Sequence, residues 1–117
     1  EIAGVGITED EAIEKGLEIK KSKFMFGANG KALSIGEPDG FIKVISDMND
    51  VVLGVHIMGP HASDLIAEGT LAVANRMTVD QIANTVHAHP TLAESFAEAT
   101  LGLKGEAIHM APPKSKK

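Results

Sequence analysis

The chain has 117 residues and a formal net charge of −5, and it contains no cysteine, tryptophan or tyrosine. This length suits one domain with its own hydrophobic core, and the acidic balance argues against a nucleic-acid partner. No apolar run approaches the roughly 20 residues of a membrane span, and no signal peptide is visible. The absence of cysteine excludes disulfides, thiolate metal sites and a cysteine nucleophile, and it fits the reducing cytosol.

Two elements are predicted at the start of the chain. Residues 1–7 are a short apolar run, which is typical of a β-strand. Residues 8–11 read Thr-Glu-Asp-Glu, a capping box with an acidic first turn, and they predict a short helix that ends near Gly16. Within that helix, Ala12 and Ile13 are expected to face the core.

The middle of the chain predicts three further strands. Residues 17–26 form one, and its basic centre at residues 20–23 suits the edge of a sheet, where lysines resist unwanted strand pairing. Residues 27–30 have the composition of a turn. The clearest strands are 41–47 and 51–58, because apolar side chains alternate in the second and the connection is short enough for a hairpin.

The last part of the chain is predicted to be mainly helical. Residues 62–76 form one helix, residues 78–81 are a capping box that opens a short second one, and residues 92–103 form a third with apolar side chains at helical spacing. Residues 108–117 are expected to be a solvated tail. The predicted fold is therefore α+β, an antiparallel β-sheet of about three to five strands with helices packed beside it.

Usable chemistry is concentrated in residues 86–94. Pro90 restricts His89, which precedes it, and Thr91 with Glu94 fits the capping-box spacing, with the hydroxyl on the amide of residue 94 and the carboxylate reaching back. A histidine oriented by a carboxylate is a common general base. The spacing alone leaves other readings open: Glu94 as a simple helix cap, and His89 as a hydrogen-bonded loop histidine.

The octapeptide His-Ala-His-Pro-Thr-Leu-Ala-Glu at residues 87–94 resembles the signature of the flavin-dependent disulfide reductases, and within them of the dihydrolipoamide dehydrogenases. Residues 1–12 and 54–66 resemble the same family, so the likeness covers most of the chain. His87, two residues before His89, favours the lipoamide enzymes over the glutathione-reductase-like relatives.

This resemblance implies a FAD/NAD-linked reductase dimerisation-domain fold for residues 1–107, with the first strand truncated and residues 108–117 as a tail. It implies that His89 is the catalytic base and Glu94 its orienting acid. It also implies that the backbone of His89 and Pro90 approaches the FAD of a partner subunit, and that the bond between them is cis.

The family uses a cysteine pair and glycine-rich turns for FAD and NAD, and this chain has neither the cysteines nor a G-x-G-x-x-G turn. We therefore interpret it as the C-terminal part of a larger enzyme that oxidises dihydrolipoamide with NAD. Alone, the fragment is expected to be inactive and to bind no cofactor.

The partners implied are a second copy of the chain in a homodimer and the lipoyl-bearing protein of a 2-oxo acid dehydrogenase or glycine cleavage complex. No nucleic acid or membrane partner and no metal is expected, and the expected location is the cytoplasm. Alternatives are the interface domain of a glutathione- or mercuric-reductase-like enzyme, and a stand-alone dimerising module without catalysis. A metal site at His87 and His89, completed by His56, His61 or Glu94, is disfavoured because no helical pair of histidines four residues apart is present.

Overall fold

The structure is a computed structural model of the chain, and it describes residues 1–105. In chain order the elements are β1 (Ile2–Gly6), α1 (Glu9–Glu14), β2 (Lys20–Met25), a 3₁₀ turn (Phe26–Ala28), α2 (Gly30–Ser34), β3 (Phe41–Ser46), β4 (Val52–Met58), α3 (Ala62–Ala74), α4 (Val79–Ala83) and α5 (Glu94–Gly102). The predicted α+β fold is confirmed. The predicted tail at residues 108–117 lies outside the described residues.

The four strands form one antiparallel sheet in the order β1-β4-β3-β2. β3 and β4 make the predicted hairpin, and the register shifts at Ile45/Ser46, where a bulge lies near the turn. The lysine-rich strand β2 lies at one edge of the sheet, as its composition predicts. β1 forms the other edge.

One hydrophobic core joins the sheet to the helices. In β4, Val55 and Ile57 are buried while His56 between them is half-buried, which is the alternation expected of a strand with one covered face. α3 packs against β4 and β1, and α5 packs against β2 and β3. The largest fully buried side chains are those of Phe24, Phe26, Phe96, Ile42, Ile45 and Ile57.

Local capping signals fix the starts of two short helices. The Thr8 hydroxyl accepts the backbone N–H of Glu11 at 3.1 Å at the start of α1. At the start of α4, the Thr78 hydroxyl accepts the N–H of Gln81, and the Gln81 side chain accepts the N–H of Thr78, which completes a capping box. Both starts were predicted from these residues.

Some local predictions differ from the structure: β2 begins at Lys20 instead of residue 17, and α3 ends at Ala74 instead of residue 76. Ile13 was expected to face the core, but its side chain is 68% exposed. The six-residue helix α1 turns one face inward, and Ala12 occupies it, so a neighbour about 100° further round cannot share it. The stretch 27–30 was read as a simple turn, but it combines the end of the 3₁₀ turn with the cap of α2. The last helix begins at Glu94, two residues later than predicted.

An ion-pair cluster ties α1 to the sheet. The Glu9 carboxylate binds the ammonium groups of Lys21 on β2 and Lys43 on β3. Hydrogen bonds from Lys21 and then Lys43 lower the pKa of Glu9 from 4.5 to about 2. These ion pairs hold α1, which follows β1 in the chain, against β3 and β2, the two strands farthest from β1 in the sheet.

Candidate functional site

His89 and Glu94 meet in the exposed connection between α4 and α5. The Nδ1 atom of His89 lies 3.0 Å from each carboxylate oxygen of Glu94. The His89 side chain is 76% exposed, whereas that of Glu94 is 26% exposed. The peptide bond between His89 and Pro90 is cis. His89 and Glu94, five residues apart in the sequence, are thus in direct contact, and the His89 ring lies on the outside of the molecule.

The contact with Glu94 selects one tautomer of the neutral His89 ring. A carboxylate accepts hydrogen bonds but cannot donate one, so Nδ1 carries the hydrogen and donates it. Nε2 is then the basic nitrogen, on the side of the ring away from the carboxylate. If Nε2 takes up a proton, the Glu94 charge stabilises the imidazolium that forms. The arrangement is chemically suited to accepting a proton from a group outside this chain.

Thr91 and Glu94 realise part of the predicted capping box and change the rest. Glu94 Oε1 accepts the backbone N–H of Thr91 at 2.9 Å, so the carboxylate reaches back as predicted. The Thr91 hydroxyl, however, donates to the carbonyl of Ala88 at 2.6 Å, and the residue at the N-cap of α5 is Ala93, which offers no side-chain cap. Because the helix starts late, the hydroxyl closes the loop instead of capping the helix. Glu94 is both a backbone acceptor and the partner of His89.

Asn29 supports this loop from the other side of the fold, and sequence reasoning placed it only in a turn. It is 5% exposed, its side-chain oxygen accepts the N–H of Ala32 at 2.9 Å, and its amide nitrogen donates to the carbonyl of Thr91 at 3.0 Å. One side chain therefore caps α2 and anchors the segment that follows Pro90. No local pattern links two residues 62 positions apart, so this role was not predictable from spacing.

His87 is held by a second carboxylate. Its Nε2 lies 2.5 Å from Oε2 of Glu68 on α3, and its Nδ1 lies 2.9 Å from the carbonyl oxygen of Thr85. The His87 side chain is only 10% exposed. The sequence drew attention to His87 through the family resemblance and as half of a disfavoured metal site, and it gave no sign of Glu68.

The other histidines of the described chain are not joined to this site. His56 Nε2 lies 2.9 Å from the carbonyl oxygen of Ile7, so it links β4 to the segment after β1. His61 stands at the N-cap of α3 in a left-handed conformation with φ 58°. Within residues 1–105, no group of three His, Cys, Asp or Glu side chains is placed to hold a metal ion.

Residues 1–100 match the protein family described as pyridine nucleotide-disulphide oxidoreductase, dimerisation domain. The chain belongs to this family. The family assignment agrees with the resemblance carried by residues 87–94, and it accounts for an oxidoreductase domain that has no cysteine of its own.

Curated relatives of this dimerisation domain are considerably longer than the chain. A dihydrolipoyl dehydrogenase of Bacillus subtilis is 49% identical over 93% of this chain and 23% of its own length. One from Thermus scotoductus is 48% identical over 94% of this chain and 24% of its own length. The chain therefore spans about a quarter of the length of the curated relatives it matches.

Solved structures of two longer proteins contain the same fold. LpdA from Mycobacterium tuberculosis matches with a TM-score of 0.80 and 30% identity, over 85% of this chain and 22% of that one. The HOCl-induced flavoprotein disulfide reductase of Escherichia coli matches with a TM-score of 0.79 and 21% identity, over 85% of this chain and 23% of that one, which shows the fold alone. In the described part of this domain, no helix is both long and apolar enough to cross a membrane.

Proposed function

We propose that the chain is the C-terminal dimerisation domain of a dihydrolipoyl dehydrogenase. In this proposal two copies of the enzyme form a homodimer, and His89 with Glu94 of one subunit provides the acid–base pair for the FAD and disulfide site of the other. The enzyme oxidises dihydrolipoamide with NAD⁺. The proposal draws on the family assignment and on the relatives named dihydrolipoyl dehydrogenase.

The outward position of the His89 ring carries the proposal. A base must come within hydrogen-bond reach of the proton that it removes. This chain contains no thiol, so any thiol that His89 serves belongs to another part of the enzyme or to the substrate. A ring that is 76% exposed, and whose Nδ1 is already held by Glu94, is oriented for such a group.

The proton chemistry assigned to this chain is short. The S–H bond of a substrate thiol breaks, the proton moves to Nε2 of His89, and the sulfur retains the electron pair as a thiolate. Glu94 stays ionised and stabilises the imidazolium, as the buried acid does in other carboxylate–histidine pairs. In the reverse direction the imidazolium returns the proton to a thiolate.

FAD and NAD are the cofactors proposed for the complete enzyme. When bound, they accept the electron pair that the dithiol gives up. The fit to this chain is partial: it has no G-x-G-x-x-G turn to hold a pyrophosphate, but the exposed backbone of His89 and Pro90 offers an edge for a flavin that another subunit holds. We expect no cofactor on this domain alone.

The remaining partners follow from the same proposal. The substrate is a lipoyl group carried by a protein of a 2-oxo acid dehydrogenase or glycine cleavage complex, and the enzyme works in the cytoplasm. The acidic net charge of −5 gives no support to a nucleic-acid partner.

The test compares the wild type with His89→Gln in the complete enzyme, assayed with dihydrolipoamide and NAD⁺ and, in parallel, with glutathione disulfide and a reduced nicotinamide cofactor as the electron donor. Glutamine keeps a similar length but cannot act as a base, so kcat should fall by about 10²–10⁴-fold. Wild-type turnover by the variant would remove His89 from the mechanism. If the wild type turned over glutathione disulfide but not dihydrolipoamide, a glutathione-reductase-like enzyme would be favoured instead.

A further inference from the structure

The loop that carries His89 has one inward anchor. Of residues 84–90, only His87 is not exposed to solvent. Its ring packs on α3 with 10% of its side-chain surface exposed, and it bonds to a residue nineteen positions earlier in the chain. His87 is therefore both the least exposed residue of segment 84–90 and the one that bonds to α3.

Both nitrogens of the His87 ring face oxygen acceptors. One faces the carboxylate of Glu68 at 2.5 Å and the other the carbonyl of Thr85 at 2.9 Å. A neutral imidazole donates one of these two bonds, and in either tautomer the ring is held between two fixed oxygens. Paired with the Glu68 charge, it makes a charge-assisted hydrogen bond, the stronger kind.

The bond between Glu68 and His87 acts close to His89, because a single residue separates the two histidines. That residue, Ala88, is itself held through its carbonyl, which accepts the Thr91 hydroxyl at 2.6 Å. The backbone that leads to His89 is thus fixed at consecutive residues. A displacement of the backbone at His87 would therefore be passed on to the ring of His89.

We propose that Glu68 and His87 are positioning residues that hold the 84–90 loop on α3, so that His89 faces the reacting thiol. This inference rests on the function proposed above. Neither side chain touches the reacting atoms in this scheme. Their contribution is to orientation, where a displacement of about 1 Å can cost up to about 100-fold in rate.

The experiment is a double-mutant cycle in the complete enzyme: Glu68→Ala, His87→Ala and the double variant. His61→Asn is the matched control, because it removes a histidine at the start of α3 from a left-handed position that asparagine tolerates. Dimer size, flavin content and thermal midpoint are measured beside kcat and the KM for dihydrolipoamide.

We expect each single variant to lower kcat about tenfold with an unchanged KM, and the double variant to lose no more than the worse single one. His61→Asn should keep wild-type kcat. Wild-type kcat in either single variant, or a double loss equal to the product of the single losses, would overturn the positioning role. If an alanine variant does not fold, Glu68→Gln and His87→Gln replace it in the same cycle, because they keep a similar volume and remove the carboxylate or the imidazole.

His89→Gln separates this inference from the function on which it rests. If His89→Gln loses activity as expected while His87→Ala keeps wild-type activity, the positioning role of Glu68 and His87 is refuted and the proposed function is not. Undiminished activity in His89→Gln would overturn the proposed function itself.

Discussion

The Glu94 side chain serves two neighbours at once. Oε1 accepts the N–H of Thr91 at 2.9 Å, and both oxygens lie 3.0 Å from Nδ1 of His89. A carboxylate can do this because its two oxygens offer about four lone-pair sites. The backbone-acceptor role and the role of orienting acid, which compete when only the sequence is known, are therefore compatible.

Glu94→Gln in the complete enzyme should lower turnover without dissolving the dimer. The glutamine oxygen can still accept from Thr91, but the imidazolium loses its charge partner and the ring its fixed tautomer, so we expect kcat to fall at least about tenfold. Size-exclusion chromatography with light scattering and a thermal melt serve as the controls. A wild-type kcat would leave Glu94 with the backbone role only.

Glu9 gives a pH-dependent prediction about stability. Its pKa is depressed in the folded state, so its contribution is fully present above 4.5 and is lost as pH falls from there through about 2. Glu9→Gln should lower the free energy of unfolding at neutral pH, and its difference from the wild type should shrink as pH falls from 4.5 toward about 2. Urea unfolding across this range tests it, with Glu14→Gln, exposed at the end of the same helix, as the control. A difference that does not shrink on acidification would contradict the ion-pair explanation.

Local patterns predicted part of the site, and tertiary contacts supplied the rest. A proline and a helix start in one short segment drew attention to His89 and Glu94, and the family resemblance of residues 87–94 gave them their predicted roles. Asn29 and Glu68 reach the same loop from 62 and 19 residues away, and no periodicity or spacing encodes such a contact. Their positions follow only once the sheet and α3 are assembled.

At the scale of elements, β1 and β4 approach each other too closely for a side chain at one position. Gly54 on β4 is paired with Gly6 on β1, and a Cβ added at Gly54 would overlap the carbonyl oxygen of Ile7. The same carbonyl oxygen lies within hydrogen-bond distance of Nε2 of His56. The space is filled by backbone, which cannot move without breaking the strand pairing.

Gly54→Ala should therefore lower the free energy of unfolding by about 2–3 kcal/mol, since overpacking against backbone has no cheap relaxation. Gly30→Ala is the matched control: a Cβ at Gly30 meets nothing within 4 Å, and Gly30 is the first residue of α2. That control should be neutral or more stable by up to about 1 kcal/mol. Chemical denaturation measures both, and equal effects of the two substitutions would refute the steric argument.

The existence and type of most helices and strands were predictable from the sequence. Their exact ends, and which side chains point into the core, were harder to predict. Apolar runs and alternation located the four strands of the described chain, and capping signals located α1 and α4. The start of α5 was misplaced because Leu92 is buried, as a helical residue would be, but lies in the turn before the helix. Ile13 was misjudged because apolar character alone does not show which face of a six-residue helix is covered.

At the scale of the whole molecule, the proposed sharing of His89 between subunits makes a distinct prediction. Mixed dimers can be formed from two inactive parents, one carrying His89→Gln and one with its redox cysteines replaced in the complete enzyme. If each site combines cysteines of one subunit with His89 of the other, each heterodimer has one intact site. Random exchange should then restore about one quarter of wild-type activity.

The opposite arrangement gives a different result. If His89 serves the cysteines of its own subunit, every site in the mixture lacks one component and no activity returns. Unmixed parents, carried through the same exchange procedure, give the baseline.

Asn29 contributes both to the stability of the fold and to the support of the candidate site. The two ends of a single amide stabilise a helix start and a loop far along the chain, so an aspartate there could replace the acceptor but not the donor. A mutation at this position is consequently exposed to natural selection twice, once through the yield of folded protein and once through its activity. Homologous enzymes can be expected to change it only together with a new way of supporting the loop.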